Sequence, residues 1–395
     1  MTKKWYEKLF FQDIGNADAA AVSEPVTTIF PPQEQPAELT PPRQHQGKYQ
    51  NLQKMQDLGL WRTLGLIRRF ILEKKVNTVP ESPLPLVQTR VENLPPVQPG
   101  DLELTRLGHS SILLRNESST WLIDPVFSQR ASPLQWLGPK RFHPVPLDYQ
   151  NLDKIEGIII SHDHYDHLDK GSILSLHSRV KFFAVPLGVG ARLRAWGVAP
   201  SKIHEMSWWQ QQTLGSLTLT AAPGQHFSGR GLRDRNKTLW AGWAIRSGQN
   251  NIYYTGDTGY FETFKIIGQR LGPFDLALVE TGAYDKDWPG VHMSPQQSYQ
   301  AFKDLQAKIL FPIHNGTFDL AFHQWSDPLE QITALARQDH APLATPKMGE
   351  SFSLSEQGAE LTAYHSRWWH AHLQYERLSA QQGILSGKSI SPAQQ

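Results

Sequence analysis

The stretch His162-Asp163-His164-Tyr165-Asp166-His167 directly follows the apolar run Gly157-Ile158-Ile159-Ile160-Ser161. His162, His164, Asp166 and His167 each offer a nitrogen or oxygen lone pair suited to a first-row divalent metal. Six adjacent residues leaving a strand cannot all point at one ion. The spacing therefore suggests two neighbouring ions, each completed by ligands from elsewhere in the chain. The sequence has no Cys, so any metal rests on imidazole and carboxylate donors, a set that suits zinc and also iron or manganese.

Four further residues sit where an apolar run hands over to a loop, the place where α/β sheets build their sites. They are Asp124 after Leu122-Ile123, His226 after Ala222-Pro223-Gly224-Gln225, Asp257 within Gly256-Asp257-Thr258-Gly259, and His314 after Phe311-Pro312-Ile313. A single residue of this kind is usually a cap or a satisfied loop residue. Recurrence of the same context raises the joint case for ligands.

The loop 229–237 carries Arg230, Arg233, Arg235 and Lys237 close after His226, a grip for phosphate because guanidinium pairs with oxyanions in bidentate fashion. Lys140 and Arg141 make a weaker candidate of the same kind; the bland alternative for both is a solvated charged face. His365, His370 and His372 beside Trp368-Trp369 lack a carboxylate ladder and read as surface or packing residues. Gly188-Val189-Gly190 lacks the third glycine of a dinucleotide fingerprint, so no nucleotide cofactor is implied.

The elements that must position these residues are short β-rich runs at 102–107, 112–115, 121–124, 158–161, 181–185, 217–222, 240–246, 252–255, 276–279 and 308–313, interleaved with helical stretches at 260–270, 295–305 and 327–339. Strands alternating with helices over some 250 residues predict a layered α/β domain. The domain begins near residue 100 and extends to 375, before a polar tail at 376–395 expected to be flexible. Ahead of it, residues 1–99 form an N-terminal arm. It comprises a Pro/Gln/Thr-rich strap at 23–46, an amphipathic helix at 51–76 with Leu52, Met55, Leu60, Leu64, Ile67 and Ile71 on its apolar stripe, and a Pro-rich linker at 79–100. Arg62, Arg68, Arg69, Lys74 and Lys75 make the helix basic, so it either packs on the domain or lies at a membrane interface.

The 395 residues are 39% hydrophobic, and 39 Lys+Arg against 37 Asp+Glu leave a net charge of only +2. That is too little for counterion-release binding, and nucleic acid is not an expected partner. Residues 1–12 mix charges and aromatics without a secretory apolar core, and no segment approaches the roughly 18 apolar residues of a spanning helix. A cytoplasmic protein with peripheral membrane contact is expected.

In their order, the ladder, His226, Asp257 and His314 resemble the metallo-β-lactamase superfamily. Leu107-Gly108-His109-Ser110-Ser111, the segment from Asp124-Pro125-Val126-Phe127 to Ser132-Pro133, Gly138-Pro139-Lys140-Arg141-Phe142 and Gly282-Ala283-Tyr284 are similar to N-acylphosphatidylethanolamine-hydrolysing phospholipase D and its bacterial relatives. The resemblance covers about residues 100–355. It implies an αββα sandwich with two zinc ions at one edge. One ion would be held by His162, His164 and His226, the other by Asp166, His167 and His314, with Asp257 bridging. It further implies a metal-bridging hydroxide as nucleophile and Asp124 orienting a ligand His. Asp163 would serve as support or proton relay, and His292 would lie near the substrate phosphate, although Ser294 stands where relatives carry Asp or Asn.

Three functions remain open from sequence. The leading one is a phospholipid phosphodiesterase of phospholipase D type. The second is a hydrolase of a small soluble substrate, such as a sugar-phosphate lactone or cyclic phosphodiester, on the same site. The third is a non-catalytic metal-binding scaffold, which a missing ligand would mark. Oligomer formation is left open.

Overall fold

Two β-sheets packed face to face organise the computed structural model, which describes residues 41–55, 65, 68–69, 72–355 and 366–381. Strands β1 (Gln44–His45) and β2 (Lys48–Tyr49) make a small hairpin ahead of them. The first main sheet has the order β15-β3-β4-β5-β6-β7-β8, with β3 Leu102–Gly108, β4 Ser111–Arg115, β5 Thr120–Ile123, β6 Ile155–Ile159, β7 Val180–Pro186, β8 Ile203–Met206 and β15 Ser351–Leu354. The second runs β14-β13-β12-β11-β10-β9, with β9 Gln211–Leu214, β10 Leu217–Ala222, β11 Gly242–Ser247, β12 Asn250–Tyr254, β13 Phe274–Glu280 and β14 Ala307–Ile313.

Alternation along the strands explains the layers. At the end of β6, Ile159 faces the core shared by both sheets, while its neighbours Ile158 and Ile160 face the other way, onto helices α1 (Lys170–Leu176) and α2 (Val189–Ala195) through Ile173, Leu176, Val189 and Leu193. Beyond the second sheet lie α3 (Thr263–Leu271), α4 (Pro295–Asp304) and α5 (Asp327–Gln338), which bury Phe264, Ile267, Tyr299, Phe302 and Ile332. Helix, sheet, sheet, helix is thus the order of layers. The short strands β8, β9 and β15 and the helices α1 and α2 carry too little periodicity to be read from sequence.

Register at the working edge depends on one close approach. Trp121 of β5 pairs with Gly157 of β6, and a Cβ at Gly157 would lie 1.9 Å from the Trp121 ring. Only glycine lets the indole lie across the neighbouring strand, which fixes β5 against β6 and hence Asp124 against the ladder.

The arm does not stand apart from this body. Val87 N–H donates to Met348 O at 2.9 Å, Thr89 N–H to Pro146 O at 2.8 Å, and Tyr49 N–H to Asn236 O at 2.8 Å. Residues 51–55 are irregular, whereas Gly65, Arg68, Arg69 and Leu72 are helical, so the expected helix does not begin at 51; residues 56–64, 66–67 and 70–71 lie outside the described residues. Helix α6 (Trp368–Gln381) runs through the boundary drawn at 375, and buried Glu376 accepts from the Glu81 and Ser82 N–H groups. His372 and Trp368 pack on Trp325 beside it. Among the described residues no helix is long and apolar enough to cross a membrane.

Candidate metal centre

The ladder leaves β6 at the carboxyl edge of the first sheet, between parallel neighbours β5 and β7. His226 follows β10, Asp257 follows β12 and His314 follows β14, all in the second sheet. Gly256 lets Asp257 approach the ladder, because its φ is +60° and a Cβ there would lie 2.7 Å from Ser161 Cβ.

Two donor sets form. In the first, His164 Nδ1 lies 2.9 Å from His162 Nε2 and 3.3 Å from His226 Nε2. Tetrahedral ligands at zinc–nitrogen distances of about 2.0–2.1 Å have edges of about 3.3 Å, so these separations suit one small cation. In the second, His314 Nε2 is 3.5 Å and His167 Nε2 3.8 Å from Asp166 Oδ2. Asp257 belongs to both: Oδ1 is 2.9 Å from His167 Nε2, and Oδ2 is 3.1 Å from His314 Nε2, 3.8 Å from His162 Nε2 and 3.9 Å from His226 Nε2.

The test of fit lies in the unsatisfied atoms. His167 Nε2, His314 Nε2 and Asp257 Oδ1 are buried without a hydrogen-bond partner, yet they face one another. Burial of such groups is costly unless something pairs them, and a shared set of divalent cations does so. Three of the ring nitrogens turned away from this space are held, whereas His314 Nδ1 has no hydrogen-bond partner among the described residues. His167 Nδ1 lies 2.7 Å from Asp124 Oδ2, His162 Nδ1 lies 3.0 Å from Ser161 Oγ, and His226 Nδ1 lies 3.1 Å from Val291 O. The carboxylate and carbonyl acceptors place the proton on Nδ1 of His167 and His226, and Ser161 Oγ, whose own hydrogen goes to Asp124 Oδ2, accepts from His162 Nδ1 in the same way, so each Nε2 presents its lone pair to the cluster.

Electrostatics follow from packing carboxylates and imidazoles out of water. Burial pushes His162 and His226 well below the ordinary imidazole value, and neighbouring imidazoles push the same way. For His314 burial also lowers the value, but Asp257 and Asp166 overcome it and raise it to about 10. Burial opposes ionisation of Asp166, yet His167, His109 and His314 hold it well below the usual carboxylate range. In the ion-free chain, protons on His167 and His314 thus balance charge that divalent cations would balance.

Asp124 is buried and accepts from Ser161 N–H at 2.8 Å and Tyr254 O–H at 2.6 Å, besides holding His167. His292 lies beside the set of Asp257 and His314, with its Nδ1 hydrogen-bonded to buried Glu280. Other residues named from sequence are not brought to the cluster. The buried Asp163 pairs with Arg192 at 2.7 Å and accepts from Gly229 N–H at 2.7 Å. Arg230 turns inward: its guanidinium donates to the carbonyls of Asp163 at 2.9 Å and Leu168 at 2.6 Å and stacks 3.8 Å over Tyr165. Arg233 and Lys140 are exposed on their loops. Buried Arg141 donates to Val126 O at 2.6 Å.

Sequence reasoning missed Glu280 and Arg192 and gave His109 no role. His109 is buried with φ +49°, and its Nε2 lies 3.1 Å from Asp166 Oδ2. Its place in Leu107-Gly108-His109 at the end of β3, the same strand-end context as the other candidates, was the available signal. Glu280, the last residue of β13, had that signal too.

A layered αββα fold with two His/Asp sets at one sheet edge defines a metal-dependent hydrolase scaffold, and comparison with known proteins agrees. Residues 120–315 match the Beta-lactamase superfamily domain. The chain is 42% identical over 278 residues to Uncharacterized protein Rv0906 of Mycobacterium tuberculosis, covering 69% of this chain and 73% of that one. It is 34% identical over 270 residues to N-acyl-phosphatidylethanolamine-hydrolyzing phospholipase D 1 of Caenorhabditis elegans, covering 64% and 76%. The structure of Igni18, a metallo hydrolase from Ignicoccus hospitalis, aligns with a TM-score of 0.50 at 21% identity, over 64% of this chain and 98% of that one. The protein is a metal-dependent hydrolase of the metallo-β-lactamase superfamily. Within it, the chain belongs to the family that includes the N-acylphosphatidylethanolamine-hydrolysing phospholipases D.

Proposed function

We propose that the protein is a two-ion phosphodiesterase that hydrolyses a phospholipid of the N-acylphosphatidylethanolamine type, releasing phosphatidic acid and the N-acylated ethanolamine. The observation that carries the two-ion reading is Asp257, whose carboxylate reaches both donor sets: it lies 2.9 Å from His167 Nε2 and 3.1 Å from His314 Nε2 on one side, and its Oδ2 lies 3.8 Å from His162 Nε2 and 3.9 Å from His226 Nε2 on the other. His162, His164 and His226 would hold one ion and Asp166, His167 and His314 the other. The donors suit zinc, with iron or manganese as substitutes. When bound, such a pair supplies Lewis acidity to the phosphoryl oxygens and lowers the pKa of water at the site. The substrate class is supported by the named Caenorhabditis elegans relative.

The chain's own residues then have definite tasks. Asp124 fixes the His167 ring, Asp163 supports the ladder loop through Arg192, and Glu280 keeps His292 oriented with its Nδ1 proton directed to the carboxylate. That leaves His292 Nε2 to meet a phosphoryl or leaving-group oxygen. Arg233 and Lys140 remain as contacts for lipid phosphate, whereas Arg230 serves the loop. Trp136 and Leu137, 63% and 55% exposed on the loop that leaves β5, and Leu232, 65% exposed on the loop that leaves β10, put apolar tips beside these cations. That combination suits peripheral contact with a lipid surface.

The test uses metal-loaded enzyme, N-acylphosphatidylethanolamine micelles and oxygen-labelled water. Attack at phosphorus forms the bond from water oxygen to phosphorus and breaks the bond to the head-group oxygen, which leaves with a proton. Label should therefore appear in phosphatidic acid and not in free N-acylethanolamine. Absence of lipid turnover alongside fast hydrolysis of a soluble lactone or cyclic diester would reject the lipid assignment. Elemental analysis with at most one ion at saturation would reject the two-ion site.

A further inference from the structure

We propose that Asn51, in the N-terminal arm, is a positioning residue of the metal centre: its side-chain amide clamps the backbone of His226 and so sets the direction of that imidazole. The inference rests on His226 being a metal ligand, as read above. His226 is fully buried and lies between β10 and β11, outside both sheets, so no adjacent strand serves its N–H and C=O. Buried backbone groups need partners. Asn51 supplies both. Its Nδ2 donates to His226 O at 2.7 Å, and its Oδ1 accepts from His226 N–H at 3.0 Å, across 175 positions of sequence.

An amide is the side chain that fits this task, because it carries one donor and one acceptor side by side, as a neighbouring strand would present them. The same Nδ2 lies 2.7 Å from Met55 Sδ, which holds the amide from the arm side. Residues around the clamp are also fastened: Gln225 Nε2 donates to Gln53 O at 2.9 Å, and Gln225 N–H donates to Thr258 Oγ1 at 2.8 Å. Val291 O fixes the His226 ring through Nδ1. Two contacts on the main chain and one on the ring leave Nε2 aimed at His164 Nδ1, 3.3 Å away. The arm thus helps to shape the donor set held by His162, His164 and His226.

The experiment compares full-length wild type, Asn51→Ala, Asn51→Asp, His226→Ala and Gln53→Ala. Zinc affinity is measured by chelator competition, zinc content by elemental analysis, and folding of the stripped proteins by thermal melting. Gln53 contributes only its main-chain carbonyl, so Gln53→Ala should match wild type. His226→Ala should lose one ion. Asn51→Ala should weaken that same ion by about 10–100-fold, the range for residues that orient a ligand, with a cooperative melt. Asn51→Asp, which keeps the acceptor but faces His226 O with an oxygen, should also weaken it. Wild-type affinity in both Asn51 variants while His226→Ala loses an ion overturns the positioning role. An equal loss in Gln53→Ala overturns it too, because the effect would then belong to arm docking in general. Unchanged zinc binding in His226→Ala instead overturns the ligand reading itself. Should Asn51→Ala melt without cooperativity, the isosteric Asn51→Asp decides by the same criteria.

Discussion

Asp124 shows how much of a metal site lies behind its ligands. One buried carboxylate accepts hydrogen bonds from Ser161, Tyr254 and His167, and through the last it decides which nitrogen of His167 faces Asp257. Asp124→Asn retains shape but puts an amide where two donors and an imidazole need an acceptor. We expect about a 10–100-fold loss of metal affinity or turnover, read by chelator competition beside a thermal melt. His314 supplies a pH signature at the same scale. Its folded-state value is raised from 6.5 to about 10 in the ion-free chain, with burial opposed and overcome by Asp257 and Asp166. Its proton therefore contributes stability that is complete below 6.5 and disappears as pH climbs through about 10. Metal must displace that proton, so apparent zinc affinity should rise with pH across this window. A flat profile in competition titrations would remove His314 from the ligand set.

At the scale of elements, α2 braces the ladder loop. Arg192 in the last turn of that helix reaches Asp163 and Asp234, both at 2.7 Å, while Arg230 ties the loop 229–237 to the carbonyls of Asp163 and Leu168. The two ligand-bearing loops, one after β6 and one after β10, are thus joined through side chains that never reach the donor cluster. Asp163 is fully buried, and removing one partner of a buried charge pair costs about 3–5 kcal/mol. Arg192→Ala should fall toward the lower end, because Asp163 keeps its bond from Gly229 N–H. The measurement is the denaturation midpoint at constant m-value; a shift worth under about 1 kcal/mol would reassign the pair to a surface-type contact. Gly188 and Gly190 at the start of this helix already serve Glu205, which accepts from both N–H groups at 2.6 and 3.1 Å, so no phosphate cradle forms there.

Across the whole molecule, the arm is fastened over the loops that follow β13 and β14. Arg69 pairs with Asp287 at 2.7 Å and with Asp285, and lies 3.9 Å over Phe322; Lys75 pairs with Asp319 at 2.9 Å. Two of the cations that suggested a membrane-facing helix, Arg69 and Lys75, are therefore engaged with the protein's own acidic loops. Arg69→Ala combined with Lys75→Ala should speed amide exchange in residues 284–288 and 319–323, and high salt should do the same to wild type by screening these part-exposed pairs. Identical exchange in all three conditions would mean that the arm does not stabilise the loops.

Amino-acid order alone nominated His162, His164, Asp166, His167, His226, Asp257 and His314 as candidate donors, because each stands just beyond an apolar run and a strand's end is written locally; it was the family resemblance that separated them from Asp124, which shares that context. A layered α/β domain was legible from strands interleaved with helices, while the helix, sheet, sheet, helix order was what the family resemblance implied. What the tertiary structure decided is which charged and polar groups are spent internally. Arg230 looked like a phosphate grip until its guanidinium met backbone carbonyls 62 and 67 positions away, and Asn51 carried no local signal because its partner lies 175 positions on. A guanidinium or an amide can bond to any carbonyl, and main-chain carbonyls leave no mark in sequence, so only the folded chain shows which of them each side chain meets.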